Sequence, residues 1–186
     1  MLPMKKMEQF QESILGTDII WEEASNQDVK DKLVKGQLDV ALVIGRIAAT
    51  DYVEIEVSSK NMCAVVPVGH RLYDKESIES VDLKDEQLIS LNEKYQSYTN
   101  LINTCERAGF YPNIRAKTME AAMIYEFVRE GLGIGIDVDI HNKSSMYKDI
   151  KLIPITDGIP WAVYVAYSME GQQSLLLKHF LETFFS

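Results

Sequence analysis

Two periodicities alternate through the first 45 residues, and this limits the chain more than any other feature. Pro3, Met7, Phe10 and Ile14 fall at i, i+4, i+7 and i+11, on one face of a helix. Pro3 suits a first helical turn, and Leu15-Gly16 ends the run. Asp18 to Glu22 (DIIWE) reads as a short strand. Asn26 is placed as an N-cap, with Asp28 in the first turn, where the helix dipole favours an acid. Val29, Leu33 and Val34 form an apolar face, and Gly36 supplies a left-handed stop. Val40-Ala41-Leu42-Val43-Ile44 is apolar on both faces, as buried parallel strands are. Helix, strand, helix, strand in that order predicts an α/β layered domain with a parallel sheet.

The rest of the chain continues the pattern. Val53, Ile55 and Val57 alternate with Glu54 and Glu56, a half-buried strand. Met62 to Val66 is an apolar strand closed by Pro67, a helical turn is expected at Val81 to Asp85, and Gln87 to Leu91 is a further strand. A loop with Tyr95, Ser97, Tyr98 and Thr99 leads into a helix from about Asn100 to Ala108, stopped by Gly109. Pro112 to Lys117 is extended, and Thr118 is placed as the N-cap of a helix through MEAAMIYEFVRE that stops at Gly131. Ala121, Ile124, Tyr125 and Val128 form its buried face. Strands follow at Leu132 to Ile136, Leu152 to Ile155 and Trp161 to Tyr167. A last helix runs from about Gln172 to Phe185, with Leu177, Phe180, Leu181 and Phe184 on one face.

Composition removes several classes. With 46% hydrophobic and 25% charged residues the chain is an ordinary globular one. At 186 residues it can bury roughly 70% of its unfolded surface, enough for a core without staples. Nineteen basic against 28 acidic side chains give a net charge of -9, which opposes tight binding to phosphates. Two cysteines, Cys63 and Cys105, make no disulfide framework and fit a reducing compartment. No signal-length apolar segment follows the N-terminal lysines, and nothing approaches about 20 uninterrupted apolar residues. The chain therefore reads as soluble and cytoplasmic, with no membrane span.

Motifs for chemistry are sparse. Gly131-Leu-Gly-Ile-Gly135 follows a helix and enters a strand, the reverse of a dinucleotide loop; helix stop and tight strand packing explain it better. A glycine inside a strand marks close approach of a neighbour or a ligand. His70, His141 and His179 are far apart and lack metal-ligand spacing. Asp137 and Asp139 could hold a cation, but two carboxylates on alternate strand positions fit a solvated strand end better. Ser77, Ser97 and Ser144 have no evident base partner, and Cys105 sits mid-helix, where a small buried hydrophobe is the commoner role. No catalytic residue, metal site or cofactor is expected. Tyr95 and Tyr98 either cap a core edge or line a ligand slot.

Four stretches together resemble the effector-binding domain of LysR-type transcriptional regulators. They are Leu2-Pro3 leading to Phe10, Leu33-Val-Lys-Gly-Gln-Leu-Asp39-Val-Ala-Leu-Val43, Ala64-Val-Val-Pro67-Val-Gly-His70-Arg-Leu72 with Leu83, and Glu120 to Ile136. The second is the most specific, and the final helix ending Phe180-Leu-Glu-Thr-Phe184 also fits. Arg71 departs from the family's proline after the histidine, and Asp137-Val-Asp139 from its usual Leu-Pro. The family's opening strand, winged helix-turn-helix domain and linker helix are not represented in the 186 residues.

This resemblance implies a type-2 periplasmic-binding-protein-like fold: two α/β subdomains around a cleft, joined by crossovers near Val57 to Lys60 and Thr156 to Ile159. Subdomain one would hold residues 1–57 and 158–186, and subdomain two residues 58–157. It further implies a small-molecule effector, expected to be an organic anion. Binding positions would be Gly45 and Arg46 past the Val40 to Ile44 strand, Ser97, Tyr98 and Thr99 at a helix start, and Thr118 with Gly133 beneath. Helix-start amides and hydroxyls suit a carboxylate. A homo-oligomer, most simply a dimer, is expected from apolar residues on the first helix and in Trp161 to Tyr167. DNA contact would come only through a helix-turn-helix domain. A transporter's solute-binding protein and a small enzyme on the same fold are the alternatives.

Overall fold

The computed structural model describes residues 4–14, 16–47, 49–138 and 148–185. Its elements are α1 (Met4–Ser13), α2 (Asn26–Val34), β1 (Ala41–Ile44), β2 (Tyr52–Lys60), β3 (Met62–Pro67), β4 (Gln87–Leu91), α3 (Gln96–Arg107), β5 (Asn113–Thr118), α4 (Ala121–Arg129), β6 (Ile134–Val138), β7 (Ile150–Pro154), β8 (Trp161–Ser168) and α5 (Leu175–Phe185). Short 3-10 turns at Ser80–Leu83 and Glu170–Gln173 complete the set. The chain divides into two compact units, one of residues 1–58 with 163–186 and one of residues 59–162.

In the first unit a three-stranded sheet runs in the order β1-β8-β2. Its core gathers Phe10, Val165, Tyr167, Leu177, Phe180 and Phe184. The phenyl rings of Phe10 and Phe180 meet edge to face at 5.4 Å, and those of Phe180 and Phe184 lie 4.8 Å apart. Burying each such side chain is worth about 1.5–3 kcal/mol, so the period of α5 fixes which face turns inward.

Several expectations fail here for identifiable reasons. β1 is an edge strand that pairs antiparallel with β8, and its side chains alternate between buried and half-buried. Its apolar run thus reflects one buried face and not a parallel setting. Asp18 to Glu22 forms no strand, because no neighbour pairs with it. Ile20 is 89% exposed, while Trp21 lies on Phe180 and Phe184 at 6.2 and 6.0 Å. Ser25 caps α2, its hydroxyl accepting from the Asp28 amide. The Asn26 amide instead clamps the backbone of Ile44, accepting from its N–H at 2.7 Å and donating to its carbonyl at 2.9 Å. Ile55 is 40% exposed, so the alternation along β2 buries less than its pattern implies. The apolar side chains of β8, a central strand, are mostly spent inside the protein: Val165 and Ala166 are fully buried. Pro3, Leu15, Asp139, His141 and Ser144 lie outside the described residues.

The second unit holds a five-stranded sheet in the order β5-β4-β6-β3-β7. β4 runs parallel to both β5 and β6, and β3 runs antiparallel to both β6 and β7. Here an apolar run does mean two buried faces. Met62, Ala64 and Val66 of β3 join one cluster with Leu101 and Cys105 of α3; Val65 joins another with Ile124, Tyr125 and Val128 of α4. A strand sends alternate side chains to opposite faces, so α3 and α4 sandwich the sheet.

Two glycines allow this sandwich. A Cβ on Gly135 would strike Ile124 and come within 3.1 Å of Val128, so α4 packs close against β6 only because no side chain stands there. Gly133 has φ 150°, and a Cβ on it would collide with the Gln87 carbonyl of β4. The close neighbour at this expected ligand position is backbone of the next strand.

Gly133→Ala should therefore destabilise the protein by about 2 kcal/mol or more, combining backbone strain and overpacking. Gly69 also has a positive φ but has open space around it, so Gly69→Ala should cost only about 1 kcal/mol. Urea unfolding of both variants checks the difference.

Candidate ligand-binding site

In open α/β sheets, sites form beyond the carboxyl ends of parallel strands, against helix starts. Two such junctions lie side by side in the 59–162 unit. β4 ends at Leu91 and leads to α3; β5 ends at Thr118 and leads to α4. Leu91 and Thr118 are register partners in the parallel pair, and the Asn92 amide donates to the Thr118 carbonyl at 2.9 Å. Ser97, Tyr98, Thr99 and Thr118 are thus brought to one end of one sheet.

Neither helix start carries a side-chain cap. Tyr95 occupies the N-cap of α3 and Glu120 that of α4, each in extended conformation and each without a capping hydrogen bond. Tyrosine and glutamate at these positions leave first-turn amides facing outward, where serine or aspartate would turn a side-chain oxygen onto them. Tyr98 and Thr99 amides are bonded to the Tyr95 carbonyl at 3.1 and 3.5 Å, so the earlier amides of α3, at Gln96 and Ser97, are the ones a ligand would meet.

The sequence placed α3 four residues too late. Its loop of serine, tyrosine and threonine is in fact the first helical turn, because Gln96, Asn100 and Thr104 form a polar ridge at i, i+4, i+8 that the fold satisfies. Gln96 donates to Asn100 at 3.0 Å, Asn100 donates to the Pro160 carbonyl at 3.0 Å, and the Ile159 amide donates to the Thr104 hydroxyl at 2.9 Å. Asn100 and Thr104 are buried. A polar i, i+4, i+8 ridge was visible in the sequence, but an apolar-periodicity search passes over it.

Thr118 is not an N-cap. It remains in β5, and its hydroxyl accepts from the Glu120 amide at 3.2 Å, a turn that delivers the chain into α4. Tyr98 carries Lys117 over its ring at 5.6 Å, and Lys117 pairs with Glu93 at 3.2 Å, which raises its amine above the ordinary value. Thr99 is exposed; Ser97, Tyr98 and Thr118 are half-buried.

Gly45 and Arg46 belong to the other unit and are described there by themselves. Gly45 takes φ 68° at the end of β1. The Arg46 guanidinium lies 5.1 Å from the centroid of the Tyr164 ring and 3.4 Å from Glu54. Glu54 also accepts from the Ile47 amide at 2.5 Å, and Lys30 donates to the Arg46 carbonyl at 3.0 Å. Arg46 is therefore partnered, although its side chain is 70% exposed.

Other candidate groups resolve into structural roles. His70 bonds Glu86 at 3.2 Å, and His179 bonds the Ser13 hydroxyl at 2.7 Å. Asp137 is buried and accepts from the Tyr125 hydroxyl at 2.9 Å, so it is not a solvated strand end; α4 covers it. Among the described residues no group of three or more His, Cys, Asp or Glu is placed to hold a metal ion, and no helix is long and apolar enough to cross a membrane. Cys63 and Cys105 are buried and are not joined in a disulfide. Burial, reinforced by Asp157, pushes the Cys105 thiol up to about 11. A thiol held protonated is a poor nucleophile, so Cys105 should resist iodoacetamide at pH 8 in the folded protein and react once urea unfolds it; mass spectrometry of the alkylated chain reads both states.

Comparison with known proteins agrees with this geometry. The family described as LysR substrate binding domain matches residues 4–185. The HTH-type transcriptional regulator AlsR of Bacillus subtilis is 30% identical over 165 residues, which covers 86% of this chain and 53% of AlsR. The chain spans about half the length of the curated relatives it matches. The BenM effector binding domain, solved with its effector benzoate, superposes with a TM-score of 0.74 at 17% identity, covering 96% of this chain and 82% of that one. The effector binding domain of QuiR, solved in complex with shikimate, superposes with a TM-score of 0.71 at 17% identity, covering 96% and 86%. The fold is that of these effector-binding domains, periplasmic-binding-protein-like and mixed α/β with two sheets.

Proposed function

Since this chain belongs to the LysR substrate-binding domain family, we propose that it is the ligand-sensing part of a transcriptional regulator, a binding domain and not an enzyme. The observation that carries the reading is the pair of uncapped helix starts, α3 and α4, joined side by side at the carboxyl ends of β4 and β5. Outward amides with the Ser97 and Thr118 hydroxyls form a donor-rich patch that favours a small organic anion. Tyr98 supplies an aromatic wall. The carboxylates named with BenM and QuiR, benzoate and shikimate, are of that class. Gly45 and Arg46, in the first unit, are proposed by themselves as further positions for such a ligand. Arg46 would have to exchange its contact with Glu54 for the ligand, since guanidinium matches carboxylate geometry. Gly133 supports the floor of β6 by letting β4 approach.

The ligand acts, on this reading, by binding one conformation of the regulator better than another, since only differential affinity shifts a population. DNA is bound by a helix-turn-helix region like the one for which the curated relatives are named, and not by these 186 residues, whose net charge of -9 opposes phosphate contact. The reading places the protein in the cytoplasm.

A thermal-shift screen of carboxylates that includes benzoate and shikimate tests it. A true effector at one hundred times its dissociation constant stabilises the fold by about 2.7 kcal/mol. Ser97→Ala and Thr118→Val should each diminish that shift. Thr118→Val should cost only about 0.5 kcal/mol of basal stability, because the Glu120 amide it frees is exposed to water. A ligand response unchanged in both variants would sink this site.

The same reading expects self-association. Since most apolar side chains of β8 are buried, the apolar surface available for it lies elsewhere in the first unit: Met4 is 68% exposed and Ile20 89%. A two-fold pairing buries such a patch against itself. Light scattering should return twice the 21.2 kDa of one chain, and a purely monomeric mass at micromolar concentration would count against a dimer.

A further inference from the structure

Tyr95 stands where a helix-capping residue is expected and does no capping. Its backbone is extended, at φ -104° and ψ 138°, and its carbonyl accepts the Tyr98 amide, so it serves as the N-cap of α3 in every backbone respect. Serine, aspartate or asparagine in that position would add about 1 kcal/mol of helix stability. The tyrosine hydroxyl instead reaches a residue 24 positions along the chain, donating to the Met119 carbonyl at 2.7 Å. Met119 immediately precedes Glu120, the N-cap of α4.

The bond does not stand alone. The Asn92 amide donates to the Thr118 carbonyl at 2.9 Å, the Tyr95 amide donates to the Asn92 carbonyl at 3.1 Å, and the Asn92 side chain accepts from the Lys94 amide at 3.1 Å. Successive carbonyls, Thr118 and Met119, are therefore held by the loop before α3. One is held by backbone that any residue could supply; the other is held only by the phenol. Remove the phenol, and the chain between the last ladder bond of β5 and the first turn of α4 loses its outer anchor. Nothing inside α4 replaces it, because Glu120 makes no side-chain cap.

We propose that Tyr95 is a positioning residue: its hydroxyl holds the start of α4 against the start of α3, so that the two uncapped turns meet a ligand as one preorganised pair. The proposal rests on the effector-sensing reading for its functional meaning, but the tether is testable without a ligand. A site whose donors are already fixed loses less entropy on binding, and a fixed spacing between two donor turns discriminates between anions by size. The position thus gives up local helix stability for geometry between two helices.

Amide hydrogen exchange by NMR on the 186-residue chain, with no ligand added, tests the tether through two variants. Tyr95→Phe keeps the ring and removes the hydroxyl. Tyr95→Ser removes the tether and restores a capping side chain. In both, the amides of Asn92, Glu120 and Met123 should exchange about five-fold faster, the factor that matches one hydrogen bond of about 1 kcal/mol. In Tyr95→Ser the Tyr98 amide, inside the newly capped turn, should exchange no faster than in the parent protein. A residue that merely stabilised its own helix would move the α3 amides and leave those of α4 unchanged. Unchanged rates at Glu120 and Met123 in Tyr95→Phe would overturn the proposal. So would an equal rise at the β3 amides of Met62 to Val66, which would report general loosening. A failed effector screen leaves these rates unaffected, so the tether and the sensing reading can fail separately.

Discussion

The contact on which the larger unit depends is the close approach of α4 to β6 across Gly135. With no side chain between them, Ile124 and Val128 pack directly against the strand beside Val65. That distance fixes where α4 sits over the sheet, and therefore where its first turn emerges beyond the end of β5. A methyl group at Gly135 would push the helix outward and carry the Glu120 turn with it. Gly133 does the equivalent for the sheet itself by letting the Gln87 carbonyl of β4 come close. The Gly131-Leu-Gly-Ile-Gly135 segment, which superficially suggests a phosphate loop, is thus a packing device that places the start of α4 some distance from itself.

Legibility of the fold in the sequence follows from where burial is one-sided. The expected ends of β3 agree with the observed ones within a residue, since both-face burial produces an unbroken apolar run and Pro67 closes it; β4, with Gln87 and Ser90 among its apolar residues, is bounded by turn residues instead. β1 has the same apolar appearance, yet it is an edge strand paired antiparallel with β8. Four residues are too few for the period to separate one buried face from two. DIIWE failed for a related reason: a strand is defined by its partner, and partners are set by tertiary structure. Ile20 stands exposed and Trp21 turns onto Phe180 and Phe184, arrangements that local composition does not encode.

The candidate site was legible in residue type and less so in role. Ser97, Tyr98, Thr99 and Thr118 converge on one end of the sheet, and their hydroxyls lie near helix starts as the sequence implies. Their local roles were misassigned. Thr118 was given the capping role because threonine caps helices, but its backbone is committed to pairing with β4 and the helix begins three residues later. α3 was begun too late because its first turn is built from residues that favour loops in isolation. What overrides that preference is Asn100 and Thr104, whose buried polar groups bind the backbone at Ile159 and Pro160. That backbone pairs with no strand, so an apolar α3 would leave the Ile159 amide and the Pro160 carbonyl without these partners; because Ile159 is half-buried and Pro160 exposed, water would offset part of the loss.

This polar ridge also fixes α3 to the backbone that enters β8. Ser97 to Thr99 form the first turn of α3, and Asn100 and Thr104 follow on the same rigid helix. Those two side chains tie α3 to Ile159 and Pro160, which lead directly into β8. β8 begins at Trp161 in the larger unit and continues into the smaller one as its central strand. Hydrogen bonds are directional and short-ranged, so the α3 contacts with residues 159 and 160 resist sliding more than apolar packing of the same area would. Packing against Leu101 and Cys105 would tolerate small slips; two backbone groups held by two side chains do not.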